Sequence, residues 1–254
     1  MIGVLGSAAA RHPVGVQTTR VTTSPLAALR AAVSDALALV SPVDCAGCGV
    51  ADRSMCGACR AALLAQPFEQ RWGDELVVWS GLRYGGAVQA ALNAFKDEGR
   101  TDAAAALARP LGVVLDHAAA RLRGRPGAMR IDLVAVPSSR AATARRGYEP
   151  VRSLLAGAGR RSPRWLVQRL RTRDQAGLGR QERALNVAGS MVATRPLLGR
   201  HVVIVDDVVT TGSTLLEAAR ALAAAGAVVR GAVTLAATPR LHPAKTVHIR
   251  GIVE

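Results

Sequence analysis

Apolar residues in this chain fall either into short unbroken runs or into stretches spaced by three and four. Val202 to Val205 is an uninterrupted β-branched run, the pattern of a parallel strand buried on both faces. Leu215, Leu216, Ala219, Leu222 and Ala223 then recur at helical spacing, and the helix is expected to stop near Ala225-Gly226, with Gly226 as its C-terminal cap. Upstream, an extended run from Leu76 to Tyr84 passes through Gly85-Gly86 into a helix over about Val88 to Lys96. A longer helix covers roughly Ala103 to Leu122, Gly124 to Gly127 break the chain, and Ile131 to Val136 reads as another buried strand. A helix near Pro150 to Ala156 and a last strand from Val228 to Ala236 follow. Strands alternating with helices predict an α/β fold, a parallel sheet flanked by helices.

The pattern also divides the chain. Residues 1–25 carry no period and read as a loose extension. Residues 26–62 combine a helix, marked by Leu26, Leu29, Ala32, Val33, Ala36 and Leu37, with a cysteine cluster, and residues 75–254 hold the α/β domain. At 254 residues the chain can bury a full core, and with half its residues hydrophobic it is not a disordered polymer. No window reaches the ~18 uninterrupted apolar residues of a membrane span. The N-terminus lacks the basic region and apolar core of an export signal, so a cytoplasmic protein without membrane insertion is expected.

Charge narrows the partners. The net charge is +15, and the stretch from Arg140 to Arg183 concentrates twelve arginines against Glu149, Asp174 and Glu182. Such a block attracts polyanions, pyrophosphate or nucleic acid, with an affinity that falls as salt rises. Charge does not choose between them. At 3% aromatics the chain has few rings for stacking single-stranded bases.

The densest chemistry lies in VVIVDDVVTTGSTLLEAARAL, Val202 to Leu222. A buried strand ends in two adjacent carboxylates and a Thr-Thr-Gly-Ser-Thr turn, and a helix begins at once. Gly212 lets the backbone approach a ligand, and the amides of Thr211 to Thr214 at a helix N-terminus attract a phosphate. Thr210, Thr211, Ser213 and Thr214 add hydroxyls. Asp206 and Asp207 suit sugar hydroxyls or a nearby cation rather than an anion. Together these residues suggest a pocket for a sugar phosphate. The turn has no Lys, which argues against a nucleotide-triphosphate P-loop. The plain alternative is a helix cap beside two strand-end acids.

Cys45, Cys48, Cys56 and Cys59 are the four cysteines of the chain, spaced C-x2-C-x7-C-x2-C. Two such knuckles can bring four thiolates onto one tetrahedral zinc, with Gly47, Gly49 and Gly57 easing the turns. Disulfides are disfavoured without a secretory signal, and a redox pair would not need a matching second pair. Four protein ligands leave no open position, so the zinc is expected to be structural.

Several motifs occur in one order: the CxxC knuckles, AVPSSRAATARRGY, RTRDQAGLGRQERALNV and the strand-turn-helix after Val202. In that order the chain resembles the ComF family, type I phosphoribosyltransferase-like proteins with an N-terminal zinc ribbon, associated with competence and DNA uptake. The resemblance spans roughly Leu26 to Ala237. It implies that Asp206 and Asp207 bind the ribose hydroxyls of phosphoribosyl pyrophosphate (PRPP) and that Thr210, Thr211, Gly212, Ser213 and Thr214 hold its 5′-phosphate. It further implies that Pro137, Ser138, Ser139 and Arg140 bind the pyrophosphate, that Arg145 and Arg146 belong to a mobile flap over it, and that Lys96 reaches it. Gln175, Arg180, Arg183 and Asn186 would bind the acceptor or order the flap. Asp206, Asp207 and Arg146 would be catalytic, and magnesium would enter with PRPP. Asp97 departs from the family, many of whose members have an aromatic residue there, and Glu149 replaces an amide.

The implied activity is transfer of a phosphoribosyl group to a nitrogen acceptor that the sequence does not identify, with release of pyrophosphate. The alternative from another class is a non-catalytic DNA-uptake factor that binds single-stranded DNA or a competence helicase through its arginines and zinc ribbon.

Overall fold

The central strands owe their position to an alternation of side chains so complete that both faces of the sheet are apolar. The computed structural model describes residues 44–51, 53–73, 76–123, 130–169 and 189–239. The helix expected over Leu26 to Leu37, the break at Gly124 to Gly127, and Gln175, Arg180, Arg183 and Asn186 lie outside them. In chain order the elements are α1 (Gly57–Ala62), β1 (Phe68–Trp72), β2 (Leu76–Arg83), α2 (Gly86–Asp97), a 3₁₀ turn (Thr101–Ala103) and α3 (Ala104–Arg123). There follow β3 (Ile131–Ala135), α4 (Arg140–Arg146), α5 (Pro150–Gly157), β4 (Leu166–Gln168), β5 (Met191–Ala193), β6 (His201–Val209), α6 (Ser213–Ala224) and β7 (Val228–Ala237).

Five strands form one sheet in the order β1-β2-β7-β6-β3. β2, β7, β6 and β3 are parallel, and β1 is antiparallel to β2. On one face Val203 and Val205 of β6 share an apolar cluster with Val88, Leu92 and Phe95 of α2 and Leu107, Leu111 and Val114 of α3. On the other, Val202 and Ile204 join Leu215, Ala218 and Leu222 of α6. A period of two sends successive side chains to opposite faces, so four adjacent β-branched residues serve two layers of helices. α3 lies close on the sheet: a Cβ at Gly81 of β2 would stand 2.5 Å from Val114 Cγ2.

The parallel sheet flanked by helices is thus as expected, with additions. β1 (FEQRW) is a polar edge strand that buries Trp72, and β4 and β5 form a separate antiparallel pair. The arginine-rich stretch after β3, expected as a flap, is helical from Arg140 to Arg146. Ser139 caps it by accepting the Ala142 N–H at 3.1 Å, and Gly147 closes it in the left-handed conformation. The cysteine segment is not suspended outside this core: Cys45, Cys59, Met55 and Leu63 are in the same apolar cluster as α2 and α3. Among the described residues no helix is long and apolar enough to cross a membrane.

Helix α6 is tied to β5 by Glu217, whose side chain is 3% exposed. Its carboxylate accepts the Met191 N–H at 2.9 Å and the Arg220 Nε and Nη2 donors at 2.7 and 2.8 Å. The Arg220 hydrogen bonds outweigh burial and hold the carboxyl down at about 2. An unfolded glutamate titrates near ~4.3, so this stabilisation is complete above that value and disappears as pH falls through about 2. Glu217→Gln is therefore expected to lower the urea midpoint at neutral pH and to flatten the acid limb below pH ~4.3, measured by circular dichroism across a pH series.

Candidate functional site

β6 runs past its apolar stretch, so that Asp206 and Asp207 lie within the strand, Asp206 opposite Thr234 of β7. Pairing ends at Val209 and Ala237; Thr210, Thr211 and Gly212 form the turn, and α6 starts at Ser213. On the neighbouring strand the Val136 N–H donates to the Val205 carbonyl at 2.9 Å, which places the turn Pro137, Ser138, Ser139 and Arg140 beside the acid pair. Both turns leave the carboxyl ends of adjacent parallel strands, where open α/β sheets form their crevices.

The α6 turn has the features of an anion seat. Gly212 is the N-cap, at φ +75°, and offers no side chain to cap the helix; the Ser213 N–H has only a long contact of 3.5 Å to Thr211 Oγ1. Thr211 Oγ1 and Ser213 Oγ lie 3.0 Å apart, adding hydroxyls at the same point. From the β7 end the Thr238 N–H donates to the Val209 carbonyl at 3.0 Å and fixes the start of the turn. From the far edge the indole of Trp72 closes on the glycine: a Cβ there would stand 2.2 Å from Trp72 Cε3. Gly212 is therefore required twice, for its backbone conformation and for the ring against it.

The two acids are handled differently. Lys96, near the end of α2, reaches across with its Nζ 2.9 Å from each oxygen of Asp207. Burial acts to lower the Lys96 pKa, but the charge and hydrogen bond of Asp207 overcome it and raise it. For Asp206, burial and then the charge of Asp207 push the carboxyl up to about 8, against the Asp207 N–H that donates to it at 2.9 Å and against Lys96. The two neighbours thus differ: Asp207, buried, pairs with lysine, and Asp206, half-buried, is pushed toward its neutral form.

The structure brings Lys96, Asp206 and Asp207 into one group, with the Thr210 to Thr214 and Pro137 to Arg140 turns at adjacent strand ends. Arg146 is engaged elsewhere: its Nη2 donates to Asp97 Oδ1 at 3.0 Å. Trp72, Asp97 and Tyr148 were not singled out as site residues by sequence reasoning. Asp97 stood out only as a departure from a family pattern, and no local spacing signals the approach of Trp72 to Gly212.

The four cysteines make a second centre. Their Sγ atoms all lie within 4.8 Å of one another, and Cys48 and Cys56 are 3.7 Å apart. Tetrahedral zinc with bonds of about 2.3 Å needs sulfurs roughly 3.8 Å apart, so the set can hold a structural zinc after small adjustments. Cys45 Sγ also accepts the N–H groups of Cys56 and Gly47 at 3.3 and 3.4 Å. Burial acts to raise the Cys45 thiol, but these backbone donors bring it to about 6, as suits a thiolate ligand.

Residues 167–253 match the family model of the phosphoribosyl transferase domain. The matched span contains β5, β6, α6 and β7, and so the acid pair and the anion turn, and it supports a domain like the type I phosphoribosyltransferases. A search of the curated proteins finds no match.

Two outcomes follow for these centres. Gly212→Ala should destabilise the fold by about 2–4 kcal/mol in denaturant titration, combining positive-φ strain with overpacking against the indole, and Trp72→Val in the same chain should recover the packing share. Metal analysis of the purified protein should find one zinc per chain, reduced well below that by Cys56→Ser.

Proposed function

We propose that this protein binds PRPP at the carboxyl ends of β6 and β3 and transfers its phosphoribosyl group to a nitrogen acceptor. The observation that carries the reading is the helix start of α6, without a side-chain cap, at the end of the strand that bears two successive carboxylates, one of them paired with Lys96 of α2. A phosphate suits the amides and hydroxyls of Thr210 to Thr214; a vicinal diol suits Asp206 and Asp207, which accept hydrogen bonds. The span matching the phosphoribosyl transferase domain contains both elements.

In the reaction the bond from C1 of the ribose to the diphosphate breaks, and one from the nitrogen to C1 forms. Positive charge spreads over the ring in the transition state, and a ribose held by Asp206 and Asp207 would have the Asp207 carboxylate near that charge. Asp206 and Asp207 orient the ring through its diol, and the α6 turn anchors the far end, so that C1 is presented in one direction. The Pro137 to Arg140 turn and Lys96 supply donors for the departing diphosphate. Arg146 lies one helix farther from that turn. Magnesium fits as an ion carried on the diphosphate, where it neutralises leaving-group charge; among the described residues the four cysteines are the one set of three or more candidate metal ligands that gathers. No observation among the described residues favours the single-stranded DNA alternative.

With Mg²⁺ present, PRPP at a hundredfold excess over its dissociation constant should stabilise the protein by about 2.7 kcal/mol. Asp206→Asn combined with Asp207→Asn should abolish the shift in thermal melts. A wild-type protein unmoved by millimolar PRPP would overturn the reading, and pyrophosphate release in a screen of nucleobases and amines would identify the acceptor.

A further inference from the structure

Three successive residues at the end of α2 grip three different partners. The Phe95 carbonyl accepts the Tyr148 hydroxyl, and the two rings lie 5.3 Å apart between centroids. Lys96 holds Asp207. Asp97 Oδ1 receives Arg146 Nη2 at 3.0 Å, with Arg145 Nη2 at 3.9 Å. Consecutive helical side chains diverge by ~100°, so this one turn links the acid pair of β6 to the far end of α4. α4 in turn begins at the Pro137 to Arg140 turn, the expected diphosphate side of the pocket.

The Asp97–Arg146 link is not an ordinary surface pair. The Asp97 side chain is 58% exposed, but that of Arg146 is 14% exposed. Arg146 Nε is buried with no hydrogen-bond partner among the described residues. A guanidinium held below the surface with one donor unused depends on its remaining partner, so its pairing with Asp97 weighs more than an exposed ion pair would.

We propose that Asp97 is a positioning residue for the leaving diphosphate, holding Arg146 and the end of α4 in fixed relation to the Lys96–Asp207 pair. The inference rests on the phosphoribosyl reading above and adds to it a residue that touches neither sugar nor phosphate. Because α4 begins at the Pro137 to Arg140 turn, holding its far end through Arg146 fixes that turn relative to the Lys96–Asp207 pair, so less ordering remains to be done when the ligand binds.

The sign of one measurement separates this role from simple charge. Asp97→Asn makes the pocket more positive, so electrostatics alone requires tighter binding of pyrophosphate; positioning requires weaker. Calorimetry with magnesium pyrophosphate and, separately, ribose 5-phosphate is the test, on wild type, Asp97→Asn and Asp97→Glu. The expected result is pyrophosphate binding roughly tenfold weaker in Asp97→Asn, ribose 5-phosphate binding unchanged, and most of the loss recovered by Asp97→Glu. Pyrophosphate bound by Asp97→Asn as well as or better than by wild type overturns the proposal, as does equal loss of both ligands or no recovery in Asp97→Glu. A wild type that binds ribose 5-phosphate but not pyrophosphate overturns it and leaves the sugar-phosphate site standing; a wild type that binds neither removes both.

Discussion

Two carboxylates in succession at the end of a buried strand are an arrangement that the rest of the fold must offset, and the Lys96–Asp207 ion pair is how it does so. Removing one partner of a buried pair costs about 3–5 kcal/mol; the 29% exposure of the Lys96 side chain puts this pair at the lower end of that range or below it. The requirement is geometric. Lys96 can reach Asp207 only if α2 crosses the carboxyl end of the sheet, on the face that Val203 and Val205 give to it. Asp206, on the alternate face, pairs with no lysine among the described residues, and burial with the charge of Asp207 pushes it toward the neutral acid.

Helix α2 therefore carries more than one responsibility. Its first half is in an apolar cluster with Cys45, Met55 and Cys59, and a Cβ on Gly47 would stand 3.5 Å from Ala87 Cβ. Its last turn holds the acid pair and Arg146. Arg100, just beyond the helix, binds Asp102 with two nitrogens and also donates to the Asp44 carbonyl at 2.7 Å, closing the cysteine segment onto the same corner. A zinc at the four thiols would thus stiffen the support of the proposed sugar-phosphate pocket while standing outside its chemistry. This accounts physically for a four-cysteine set fused to an α/β domain: the small segment lends rigidity where a helix end must be held accurately.

What could be read from the sequence was what is local. The β6 strand, its turn and α6 announce themselves because the apolar run, the acids, Gly212 and the helical spacing are contiguous. The cysteine pairs are legible for the same reason. β1 escaped because an edge strand of Phe, Glu, Gln, Arg and Trp needs only one buried side chain, and β4 and β5 because three residues are too few to show a period. α4 is different. Its signals were present, Ser139 as N-cap and Gly147 as C-cap, but the density of arginines suggested an open flap instead. Asp97 could not be understood locally at all, since its meaning lies in Arg146, a residue on another helix.

The state of the acid pair bears on how the pocket would accept its ligand. In this structure Asp207 is already matched by Lys96, and burial pushes Asp206 toward its neutral form. A sugar diol approaching the pair meets one fixed acceptor and one carboxyl able to accept and to donate, which is the complement of two hydroxyls that themselves do both. A diphosphate would bring several negative charges and compete with Asp207 for Lys96, and a divalent ion carried with it would offset part of that charge. On the proposed reading, sugar and diphosphate bound together would be electrostatically easier to hold than either alone, because each would compensate for what the other disturbs. That coupling arises from a single lysine shared between two demands, and the run Phe95-Lys96-Asp97 keeps that lysine within reach of both.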